Sequence, residues 1–150
     1  MDLKQPGTYL LILKIEKPLF DLKIGRKLRL DFKQGYYGYV GSALGGGGLN
    51  SRLKRHASKN KRTHWHIDYL LAEARLLGAV VKADNNHLEC KWSAWLCRTA
   101  VESVSDFGAS DCNCRSHLFY LGDQNALNQF IVQSEAQFAG QFVDVNRLCN

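Results

Sequence analysis

The chain has 150 residues, 45% of them apolar, and carries twenty Lys and Arg against fourteen Asp and Glu, for a formal charge of +6. That length suits one domain, and the apolar fraction is enough to close its core. No apolar run approaches the roughly 20 residues that cross a bilayer, the start MDLKQPGTY lacks a secretory signal, and five cysteines make no disulfide framework. The expectation is a cytoplasmic protein with reduced thiols and no membrane contact.

The first element is an apolar strand, GTYLLILKI, over 7–15. Leu22 and Ile24, a turn at Gly25, then Leu28, Leu30 and Phe32 alternating with Lys27, Arg29, Asp31 and Lys33 predict a hairpin with one basic face. Tyr36, Tyr37 and Tyr39 fall in a second strand that Gly41 and the run Gly45 to Gly48 break. From Leu49 to Lys59 the spacing is helical, with Leu49, Leu53 and Ala57 as the apolar stripe and Arg52 and His56 along its border.

Between Arg52 and His66 stand six Lys or Arg and three His. Lys54, Arg55, Lys59, Lys61, Arg62 and His64 read either as a solvated face or as a footprint for a phosphate backbone. Thr63 can cap a helix in which Trp65 and Tyr69 stack and His64 lies beside Asp68. Trp65 reads as core or, if exposed, as a surface for stacking bases. RLLGAVVKA is strand-like, with the strand itself expected over 75–82, and after the turn at 84–86 Glu89 opens the helix ECKWSAWLCRTA. Asp111, Cys112, Cys114 and His117 crowd seven residues; with Cys90 they could hold structural Zn²⁺, but a tight turn over small thiols is preferred. Residues 117–121 form a short strand, and from residue 122 a helix with Leu127, Phe130, Ile131 and Phe138 on its apolar side completes the chain.

Gly7-Thr8-Tyr9, Tyr39-Val40-Gly41, and Arg52 with His56 on the next helix together resemble the GIY-YIG nuclease superfamily. HWHIDYL at 64–70 and FGASDCNCRSHLFYL at 107–121 look like an uncharacterised branch of it. The resemblance covers residues 7–121; its one departure is thirty residues between the two motifs, where about a dozen are usual, and the hairpin accounts for it. It implies an α+β fold: a small, mainly antiparallel sheet of residues 7–15, 20–33, 36–41 and 75–82, flanked by helices. The domain would span 1–121, with 122–150 a helical extension packed on it.

By the same resemblance the expected activity is metal-dependent cleavage of nucleic acid, DNA before RNA, in DNA repair and with a repair partner. Glu89 would hold one Mg²⁺ or Mn²⁺, with Glu73 the second choice. Arg52 would stabilise charge on the phosphoryl group. Tyr9 would position water or also deprotonate it, Tyr39 would orient the phosphate or Tyr9, and His56 would assist either as a hydrogen-bond donor behind them or as a proton carrier. Two rivals are a nucleic-acid-binding module that has lost its metal chemistry and a zinc-stabilised interaction domain.

Overall fold

The computed structural model describes residues 2–108 and 114–149. In chain order it contains β1 (Gly7–Ile15), β2 (Leu19–Ile24), β3 (Leu28–Phe32), β4 (Gly35–Ala43), α1 (Gly48–Ala57), α2 (His66–Leu71) and β5 (Arg75–Ala83). There follow α3 (Glu89–Thr99), β6 (Glu102–Ser103), β7 (Leu118–Gly122), α4 (Gln124–Phe138), β8 (Gln141–Asp144) and α5 (Val145–Cys149). Six strands make one sheet in the order β6-β7-β4-β1-β5-β8, every neighbouring pair antiparallel. The fold is the expected α+β architecture.

β1 is almost wholly apolar because helices cover both faces of the sheet, and a strand buried on both sides gains from apolar residues at every position. Its side chains alternate between two cores. Tyr9, Leu11, Leu13 and Ile15 meet Leu49, Leu53, Ile67 and Leu70 from α1 and α2. Leu10 and Ile12 meet Trp92 and Leu96 of α3 and Phe130 and Phe138 of α4. Burying a leucine such as Leu53 contributes about 1.5–3 kcal/mol.

The structure differs from the sequence expectation in the hairpin, in the segment after residue 122 and at the start of α2. The hairpin β2-β3 does not extend the main sheet: its strands pair only with each other. Ile24 and Phe32 are drawn into the core beside α2, and that packing turns the hairpin away from the sheet edge. The expected basic face is also partly neutralised, because Arg29 pairs with Asp21 and Lys33 with Glu102. At the other end, the segment after residue 122 is more than a helix. Asp123 caps α4 by accepting from the Ala126 amide at 3.3 Å, Ala139 ends it in the left-handed conformation, and β8 then pairs with β5. β7 joins the sheet beside β4.

α1 starts where Gly47 and Gly48 hold φ of 85° and 61°, which a side chain would strain. Its last turn is closed by Lys61, whose Nζ donates to the carbonyls of His56 and Ser58 at 2.8 and 2.7 Å. Thr63 does not cap α2. The helix begins at His66, and Asp68 reaches back to accept from the amides of His64 and Trp65 at 2.8 and 2.9 Å. The His64 backbone, rather than its ring, therefore meets Asp68.

Candidate active site

The register of β1 against β4 sets Tyr9 opposite Gly41 and Leu11 opposite Tyr39, so the two tyrosines are diagonal neighbours on one face. A Cβ at residue 41 would lie 2.5 Å from Tyr9 Cζ and Oη, so the glycine is what lets the Tyr9 ring lie across β4. α1 packs Leu49 and Leu53 on that same face and thereby turns Arg52 and His56 toward the tyrosines. Tyr9 Oη lies 2.7 Å from His56 Nε2. Arg52 donates from Nη1 to the Ser42 carbonyl at 2.9 Å, and its guanidinium lies 4.5 Å from the Trp65 ring centre.

Glu89 enters from the first turn of α3, and His117 from the residue just before β7. Tyr9, Tyr39, Arg52, His56 and Glu89 line one cavity of about 190 Å³ together with Gly41, Ser42, Trp65, Gly108 and His117. All five residues assigned chemistry from the sequence are thus brought together. Glu73, the second choice for metal, is exposed between α2 and β5 and does not line the cavity.

Burial dominates the protonation of these groups. It pushes the Tyr9 and Tyr39 phenols well above the usual range; for Tyr9 the positive charge and hydrogen bond of Arg52 work against it. Burial also lowers His56 to about 3, so that ring is neutral at pH 7. Among the described residues, neither buried His56 Nδ1 nor buried Thr8 Oγ1 has a hydrogen-bond partner. His117 is pushed down by burial, with the Glu89 carboxylate pulling the other way.

The six residues assigned to nucleic-acid contact do not behave as one surface. Arg55 donates through Nη1 and Nη2 to the two oxygens of Asp68, both at 2.9 Å, and packs 4.3 Å from the Trp65 ring centre on its way. Asp68 is wholly buried; burial alone would raise its pKa, but the Arg55 hydrogen bonds hold its carboxyl below the usual range. Lys61 is spent on the end of α1, and Lys59 reaches the Leu71 carbonyl at 3.4 Å. Lys54, Arg62 and His64 are exposed, with the His64 ring 5.2 Å from that of Trp65.

Trp65 itself is neither plain core nor an open stacking surface: it is half-buried with Arg52 and Arg55 on it. Sequence reasoning missed its part in the cavity, and that of Ser42, Gly108 and His117. Only for His117 was there a signal, its crowding with Asp111, Cys112 and Cys114 within seven residues, and it pointed to zinc. Cys112, Asp111 and Ser110 lie outside the described residues. Of the remaining zinc candidates, Cys114 Sγ lies 3.0 Å from Cys90 Sγ, while His117 faces Glu89 and Ser93. Among the described residues no three His, Cys, Asp or Glu side chains gather as a metal centre.

Larger hollows exist, about 460 Å³ between the hairpin and β6 and about 740 Å³ beside Cys90 and Cys97. Neither gathers phenol, imidazole, guanidinium and carboxylate as the smaller cavity does. Glu89 is the one carboxylate among the described residues lining it, and its side chain is 33% exposed. That donor fits a small hard cation, which binds through one or two carboxylates and keeps most of its waters. No helix among the described residues is long and apolar enough to cross a membrane.

No curated protein and no solved structure matches the chain significantly. A family match spans residues 8–139, running from β1 through the end of α4 and so across the whole cavity. The chain belongs to the family described as domain of unknown function DUF123.

Proposed function

We propose that this chain is a metal-dependent endonuclease of the GIY-YIG type, cutting phosphodiester bonds of DNA in preference to RNA and serving DNA repair with a partner. The observation that carries this reading is the convergence of Tyr9, Tyr39, Arg52, His56 and Glu89 on one polar cavity from four separate elements. The motif resemblance supplies the reaction class. Arg52 spends one N–H on Ser42, directs another at Tyr9 and lies against Trp65, which fixes its plane and leaves further donors for a phosphate oxygen. Glu89 would hold Mg²⁺ or Mn²⁺, which when bound supplies Lewis acidity to the phosphoryl oxygens.

Tyr9 is held protonated by burial, so it is a poor base alone. The 2.7 Å contact with neutral His56 offers a route: Tyr9 takes a proton from the attacking water as its own passes to His56 Nε2. The imidazolium formed there is disfavoured by burial and favoured by a neighbouring phosphate charge. Tyr39 orients the phosphate or Tyr9. The same burial of Tyr9 favours the rival reading, a nucleic-acid-binding module that does not cut.

Labelled single-stranded, duplex, flapped and branched DNAs and RNAs, with Mg²⁺, Mn²⁺ or EDTA, separate the two. Metal-dependent cutting that falls about 10²–10³-fold in Arg52→Ala and is lost in Glu89→Gln supports the nuclease. Salt-sensitive binding without cutting on any substrate establishes the binding module instead.

A further inference from the structure

The proposed hydrolysis leaves His117 without a task, yet it is firmly held in the cavity through both backbone and ring. Its backbone is a rung between neighbours: its amide donates to the Phe107 carbonyl at 2.9 Å and its carbonyl accepts from Val40 at 2.9 Å. The ring is buried, with Nδ1 2.8 Å from Ser93 Oγ and Nε2 3.5 Å from Glu89 Oε2. Glu89 and Ser93 are four apart on α3, so one helical face grips both edges of the imidazole.

The separation from Glu89 is informative. An N–H···O hydrogen bond closes to about 2.7–3.2 Å, shorter than this pair. Two donors each about 2.1 Å from one ion, at an angle of about 90–110°, stand about 3.0–3.4 Å apart, so this pair at 3.5 Å would close by only about 0.1–0.5 Å onto a shared cation. With its proton on Nδ1 and donated to Ser93, His117 would turn an Nε2 lone pair toward the carboxylate, an arrangement that a cation between them stabilises.

We infer that His117 Nε2 and Glu89 Oε2 hold the cation together, with Ser93 fixing the ring, so that the site is built for a nitrogen-accepting metal such as Mn²⁺ ahead of Mg²⁺. This rests on Glu89 being the metal ligand of the proposed nuclease and names the cation class the site selects. Mn²⁺ shares the preference of Mg²⁺ for oxygen and water, but as a transition metal it accepts an imidazole nitrogen more readily than Mg²⁺, which dehydrates reluctantly, so loss of His117 should penalise Mn²⁺ more than Mg²⁺. Ser93 is a positioning residue.

The test is binding of Mn²⁺ and of Mg²⁺ by titration calorimetry, with pulsed electron paramagnetic resonance of the Mn²⁺ complex. Wild-type protein should show nitrogen modulation of the Mn²⁺ signal. His117→Gln should lose it and bind Mn²⁺ at least about tenfold more weakly, with Mg²⁺ affinity nearly unchanged; Ser93→Ala should weaken Mn²⁺ by roughly 10–100-fold. Because His117 is buried, a second measurement uses the unaltered chain: ¹⁵N-histidine spectra in which Zn²⁺ shifts His117 Nε2. Mn²⁺ bound without nitrogen modulation, an unshifted His117, or no binding at millimolar metal overturns the inference even if the protein cuts. A bound, nitrogen-ligated Mn²⁺ with no cutting of any substrate leaves the site standing and removes the nuclease.

Discussion

The inner and outer edges of the basic segment around α1 have similar side chains and different fates. On the inner edge Arg52 and His56 are fixed at the cavity by Ser42, Trp65 and Tyr9. On the outer edge Arg55 is consumed by buried Asp68 and Lys61 by the carbonyls that end α1, leaving Lys54, Lys59, Arg62 and His64 exposed. A count of positive residues therefore overstates the charge offered to a polyanion. What decides each residue's job is the acceptor that the fold places within its reach.

Arg55→Ala is the strongest way to break this contrast. It strands a buried carboxylate and should cost about 3 kcal/mol of stability, while leaving the salt dependence of nucleic-acid binding unchanged. Thermal melts and binding isotherms at several salt concentrations read the two effects apart. If binding falls and stability does not, Arg55 belongs to the surface after all.

A smaller effect sharpens the inner edge. Folded His56 stays neutral down to about pH 3, whereas the unfolded ring takes a proton below about 6.5, so stability falls as pH drops through that window. One such group contributes up to about 1.4 kcal/mol per pH unit. Urea unfolding of His56→Gln between pH 7 and 4 (roughly the window set by that linkage) should show a flatter loss. His117, displaced in the same direction, keeps a residual slope. The smallest effect is at the outer edge: Lys54→Ala with Arg62→Ala should lower the slope of log affinity against log salt by about 1–2, with no change in melting temperature.

Local patterns explain what the sequence made legible. The apolar run of β1, the glycines that end β4, and the Arg-x-x-x-His spacing of α1 each depend on a few adjacent residues, and each led to the cavity. Asp68 was visible as a helix residue, but its pairing with Arg55 depends on how α1 and α2 pack. His117 meets Ser93 across 24 positions of sequence, and β8 reaches β5 because α4 carries the chain back across the sheet. Separations of that kind leave no periodic trace. The hairpin showed its alternation plainly, yet alternation states that a strand has two faces, not which sheet it joins.

That hairpin leaves the main sheet at the Ile15–Gly35 end, whereas Tyr9 and Gly41 lie toward the Gly7–Ala43 end. Six rungs of β1 separate Tyr9 from Ile15, roughly 20 Å of strand. The two halves of the motif are thus joined through a region that takes no part in lining the cavity. The chain has a seam there: Arg26 and Lys27 at the exposed turn are a natural place to open it, and a circularly permuted version with its ends at that turn should assemble the same cavity from a different linear order.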